Sequence, residues 1–93
     1  VGYEWLLSAA MNLSGGLTTD EVLRALADAE HRWVQSVFTK TGAPGLSVWT
    51  RTATGKPILV VLRPLGGFDH QIVFAAPMTP HQVTAFEEWE ANQ

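Results

Sequence analysis

Three of the six basic side chains, Arg51, Lys56 and Arg63, stand in the stretch "TRTATGKPILVVLRP" with no acid among them. Guanidinium groups grip phosphate in a bidentate way, and an indole such as Trp49 stacks on an unpaired base, so Arg51, Arg63 and Trp49 on one surface would make a nucleic-acid site. The competing reading is structural: Arg51 and Arg63 pair with Glu87, Glu88 or Glu90, and Trp49 belongs to the core. His70, alternating with Phe68, Ile72 and Phe74 on one face of "FDHQIVFA", can serve as a general base or a pH-sensitive group. Its neighbour Asp69 cannot join it in a direct dyad, because adjacent strand residues point to opposite faces. His31, His70 and His81 lack metal-ligand spacing, and no metal site is expected.

The elements that must position these groups are legible from periodicity and caps. "GYEW" reads as a short edge strand and "LLSAAMNL" as a helix, ended by Gly15 and Gly16 as a left-handed cap. In "LTTDEVLRALADAEH", Thr18 and Glu21 form a capping box, Leu17 and Val22 the hydrophobic staple. Val22, Ala25, Leu26 and Ala29 then give one apolar helix face. From His31 the period becomes that of strands: "HRWVQSVFT", "LSVWTRTA", "KPILVVLR" and "FDHQIVFA", joined by "KTGAPG", "TG" and "PLGG", imply an antiparallel meander. "MTPHQVTAFEEWE" repeats the helix-start signature, with Thr79 as N-cap, Pro80 at N1 and Gln82 at N3.

Two registers are open for the central hairpin. A three-residue loop of Ala53, Thr54 and Gly55 pairs Thr50 with Ile58, Val48 with Val60 and Leu46 with Leu62. It sets Ser47, Trp49, Arg51, Leu59, Val61 and Arg63 on the other face. A two-residue loop would put the two arginines on opposite faces. The first is preferred because it sorts polar from apolar side chains. "PLGGF" lacks the helix and lysine of a phosphate-binding loop and reads as a turn.

The chain of 93 residues, 46% hydrophobic with four tryptophans and no cysteine, suits one domain over residues 1–93. A disulfide framework and zinc fingers are excluded, and a reducing, cytoplasmic setting is expected. No run is long enough to span a bilayer, and Val1 to Leu7 include Glu4 without basic residues, so neither a membrane anchor nor a signal peptide is expected. The net charge of −3 hides a division. Residues 31–64 hold Arg32, Lys40, Arg51, Lys56 and Arg63 and no acid, whereas the segments on either side are acidic. Two readings follow: acidic helices neutralise a basic sheet, or the sheet offers its charge to phosphates or an acidic partner.

"SAAMNLSGGLTTDEVLRAL", "RTATGKPILVVLRP" and "IVFAAPMTPHQVTAFEEWE" together resemble the small BrnT-like toxins of bacterial type II toxin–antitoxin systems and related short actinobacterial proteins. Gly15-Gly16-Leu17, Asp20-Glu21-Val22, Gly55-Lys56-Pro57-Ile58 and Met78-Thr79-Pro80 fill the family's recurring places. The resemblance implies a RelE-like fold, RNA bound on a basic sheet face and a hetero-oligomer with a cognate antitoxin, typically of the ribbon–helix–helix kind. It implies metal-independent, cofactor-free RNA cleavage in which Lys56 or His70 activates the ribose 2′-hydroxyl while Arg51 and Arg63 stabilise phosphate charge. Arg32, Lys40 and Trp49 would be further RNA contacts. The expectation is an α+β domain with two N-terminal helices, a four- to five-stranded, mainly antiparallel sheet and one C-terminal helix. Its function would be that of a ribonuclease toxin or, alternatively, of a non-catalytic interaction domain using the same sheet face.

Overall fold

A computed structural model describes residues 2–28, 32–38 and 42–93. The elements run β1 (Tyr3–Trp5), α1 (Leu7–Met11), α2 (Thr19–Asp28), β2 (Trp33–Phe38), β3 (Pro44–Arg51), β4 (Pro57–Gly66), β5 (Asp69–Pro77) and α3 (Pro80–Ala91). The five strands form one sheet in the order β1-β5-β4-β3-β2. β2 to β5 are the antiparallel meander, and β1 adds parallel to β5, so the fold is α+β with a mixed sheet.

The central hairpin takes the three-residue loop. Thr50 faces Ile58, Val48 faces Val60 and Leu46 faces Leu62. Gly55 has φ +90°, the left-handed region that an L side chain resists, and its N–H donates to the Thr52 carbonyl at 2.9 Å. This register puts Leu46 and Val48 of β3 and Ile58, Val60 and Leu62 of β4 on one face, with Thr50 buried beside them, and α2 covers it. Val22, Ala25 and Leu26 of the helix join Leu17, Val48, Ile58, Val60, Leu62, Ile72 and Ala75 in one buried core. α2 starts where the capping box places it: Glu21 N–H donates to Thr18 Oγ1 at 3.1 Å, and Thr18 N–H donates to Glu21 Oε1 at 3.2 Å. α3 starts the same way, with Thr79 N–H donating to Gln82 Oε1 at 2.9 Å.

Two local expectations are corrected. α1 ends at Asn12, whose side chain and backbone N–H satisfy the carbonyls of the last turn, so Gly15 and Gly16 are not its cap. They form a separate tight turn at φ +65° and +75°, pressed at Gly15 against Pro77. On β5, an irregularity between Val61 and Leu62 pairs Phe74 with Val61 but Ile72 with Leu62. The extra residue, Val73, breaks the alternation. Ile72 therefore faces the core while Phe74, 49% exposed, lies on the opposite side with Val61.

Candidate functional site

The sheet face away from α2 carries the side chains that the sequence singles out. Ser47, Trp49 and Arg51 of β3 stand beside Val61, Leu59 and Pro57 of β4, and Arg63 lies further along the same face. α3 covers one end of it. Phe86 is fully buried there and Trp89 stacks on both Phe86, at 5.8 Å, and Trp33, at 5.7 Å. Trp33 in turn meets Trp49 across the β2–β3 pair at 5.0 Å with the rings tilted. Such aromatic pairs contribute about 0.5–1.5 kcal/mol each beyond the area they bury. They anchor α3 to the sheet.

Arg51 belongs to this anchor. Its Nη2 donates to Glu90 Oε1 at 2.8 Å and its Nε to Glu90 Oε2 at 3.0 Å, while Nη1 donates to the Gly55 carbonyl at 3.0 Å. The guanidinium carbon stands 5.5 Å above the Phe86 ring. The hydrogen bond to Glu90 raises the Arg51 pKa above its ordinary value, against the opposing effect of partial burial and with further help from the charges of Glu90 and Glu87.

The other expected site residues are placed apart. Lys56 follows the hairpin loop and donates to the Gly15 carbonyl at 2.9 Å, tying the turn before α2 to the sheet. Arg63 is exposed, on the same face as Arg51, and hydrogen-bonds the side chain of Gln71, its cross-strand partner. Because Arg51 sits opposite Pro57, the strand rise separates the two arginines by on the order of 20 Å. His70 pairs with Pro64 and Tyr3, one residue out of step with Arg63, and therefore faces the other way. Its ring lies 6.3 Å from that of Tyr3, and its Nδ1 is buried with no hydrogen-bond partner among the described residues. Arg32 is exposed just before β2 and donates to the Leu26 carbonyl at 2.6 Å, near the end of α2. Trp49 is half-buried, tilted against Trp33 with its N–H on Ser47 Oγ at 3.2 Å, and it also lines the groove described below. Lys40 and His31 lie outside the described residues. Among the described residues no three His, Asp or Glu side chains are grouped to hold a metal ion.

What sequence reasoning missed is the open half of this face. Beyond the reach of α3 lies a groove of about 780 Å³ lined by Leu6, Val37, Leu59, Val61, Val73 and Phe74, with Phe38 at one end and Arg63 among its walls. Phe38 is 80% and Phe74 49% exposed. The signal was present in the unbroken apolar run "ILVVL", which makes both faces of β4 hydrophobic when one helix can cover only one of them. No helix among the described residues is long and apolar enough to cross a membrane.

Comparison with protein-family models, curated proteins and solved structures finds no match to the chain.

Proposed function

We propose that this chain is a protein-interaction domain that takes a partner segment on the uncovered half of its sheet. The observation that carries this reading is the groove from Leu6 to Phe38, an apolar surface continuous with a packed core yet left in water. Soluble domains rarely expose contiguous apolar area of this kind except where something binds. The placement of the groups expected to act on RNA favours binding over catalysis. Arg51 is committed to Glu90 and Lys56 to Gly15, while His70 and Arg63 point from opposite faces. A general base must stand within hydrogen-bond reach of the proton it takes, with the charge stabilisers around the same phosphate.

The test is a peptide-display selection on the folded protein, counter-screened with a Phe74→Glu variant. Binders that hold the wild type and lose the variant support the reading. Enriched peptides indifferent to Phe74→Glu contradict it.

A second reading, a ribonuclease toxin of the BrnT-like kind, is favoured by the order of elements: two helices before a meander and one after it, as that resemblance implies. The two readings join if the groove's partner is the antitoxin. Growth arrest with RNA cleavage on induced expression, lost in Arg63→Ala, would support the toxin. Normal growth with intact RNA and abundant folded protein would leave the binding role alone.

A further inference from the structure

The two edges of the sheet are treated differently. β1 is three residues long, with exposed Glu4 at its centre. β2 is six residues long, WVQSVF, uncharged and free of proline, and no bulge interrupts its register with β3. Along it Val34, Ser36 and Phe38 are exposed, Val34 at 51%. A strand edge presents a row of unpaired N–H and C=O groups, and proteins normally blunt it by shortness, charge, proline or a bulge. β1 uses the first two devices; β2 uses none.

The groove described above reaches this edge, since Val37 and Phe38 of β2 line it. The segment that carries the β2 edge and the β4 wall of the groove is basic. Arg32 is exposed immediately before β2, Arg63 is exposed in the groove wall, Lys40 follows the strand in sequence, and no acid occurs from residue 31 to 64.

We infer that the free edge of β2 accepts an extended segment of a partner protein as a sixth strand, and that this segment alternates apolar side chains between acidic flanks. The inference rests on the binding reading above and specifies its partner. Main-chain hydrogen bonds supply affinity in strand addition, and the side chains that alternate onto the neighbouring surface supply selectivity. The charge pattern selects an acidic segment over a second copy of β2, because residues 31–64 contain no acid that a second copy could offer to Arg32 or Arg63.

The probe is a fluorescein-labelled peptide with a Val-Thr-Ile-Thr-Val centre between paired glutamates, followed by anisotropy against the full chain. Saturable binding is expected, at least tenfold weaker for the same peptide with lysine flanks. Only alternate N–H groups of an added strand point at the protein. N-methylation of one alternate set should therefore abolish binding and methylation of the other should leave it. Val34→Glu/Phe38→Glu should weaken binding at least tenfold, while Leu65→Glu/Phe68→Glu, which changes exposed residues at the end of β4 and in the turn after it, should bind as wild type; thermal unfolding checks that each variant is folded. Absence of saturable binding, or equal binding of both methylated peptides, overturns the inference. So does a dimer of the free chain that Val34→Glu/Phe38→Glu dissolves. If the display-selected, Phe74-dependent binders are untouched by the β2 variant, the edge-strand inference fails while the groove reading stands.

Discussion

Arg51 and Glu90 join β3 to the last turn of α3 through two short contacts, 2.8 and 3.0 Å, with the arginine lying over the buried Phe86 ring. The side chains are 33% and 21% exposed, so water screens the pair only in part. Glu90→Gln keeps the shape and removes the charge. It is expected to cost about 1 kcal/mol, or roughly 4–8 °C in Tm for a domain of this size, measurable by thermal unfolding followed by circular dichroism. The sign of the pH dependence follows from the raised Arg51 pKa: its contribution is fully present below the ordinary arginine pKa and is lost only as pH rises through the higher folded value. Arg51 therefore adds no slope to stability near neutral pH.

Phe86 holds α3 to the sheet. With its side chain fully buried against Trp89 and beneath Arg51, Phe86→Ala is expected to destabilise by about 3–5 kcal/mol through lost contact and a residual cavity. Denaturant titration measures the loss. Tryptophan fluorescence should report it as well, because the Trp33–Trp89 stack depends on the helix being seated.

Gly15 and Gly16 separate two costs that usually come together. Both have positive φ, but a Cβ on Gly15 would stand 2.4 Å from Pro77 Cγ, whereas one on Gly16 meets nothing within 4 Å. Gly16→Ala should cost about 1 kcal/mol from backbone strain alone. Gly15→Ala should cost about 1–3 kcal/mol more, because the contact is with a ring that cannot rotate away. Urea midpoints of the two variants decide this.

Much of the fold was legible in the residues. Thr18-x-x-Glu21 and Thr79-x-x-Gln82 mark both helix starts, and Gly55 sets the register of the central hairpin. The face shared by Trp49, Arg51 and Arg63 followed from that register. What the sequence did not reveal was distance along the strand and competition for donors. Alternation assigns Arg51 and Arg63 to one face without saying that they stand six strand positions apart, or that α3 brings Glu90 onto the first of them. The facing of Phe74 was lost at the bulge beside Val61, which shifts period-two counting by one residue. The groove went unread for the same reason: its walls come from both sides of that bulge.

Arg63 is the cleanest cation to remove. It is exposed, its partner is the exchangeable Gln71 side chain, and Arg63→Ala should change stability by no more than about 0.5 kcal/mol. Arg51→Ala would instead loosen α3 and confuse folding with function. In an induced-expression assay for growth and RNA integrity, a difference between wild type and Arg63→Ala therefore reports on an anion-binding role, and stability measured alongside should match wild type.

The most direct measurement of the binding role is a methyl NMR titration of the chain with a display-selected, Phe74-dependent peptide. Leu59, Val61 and Val73 methyls, which line the groove, should shift progressively, while those of Val22, Leu26 and Ile58 in the α2 core stay in place. Shifts confined to the α2 side, or spread evenly over both faces, would contradict a partner site on the open half of the sheet.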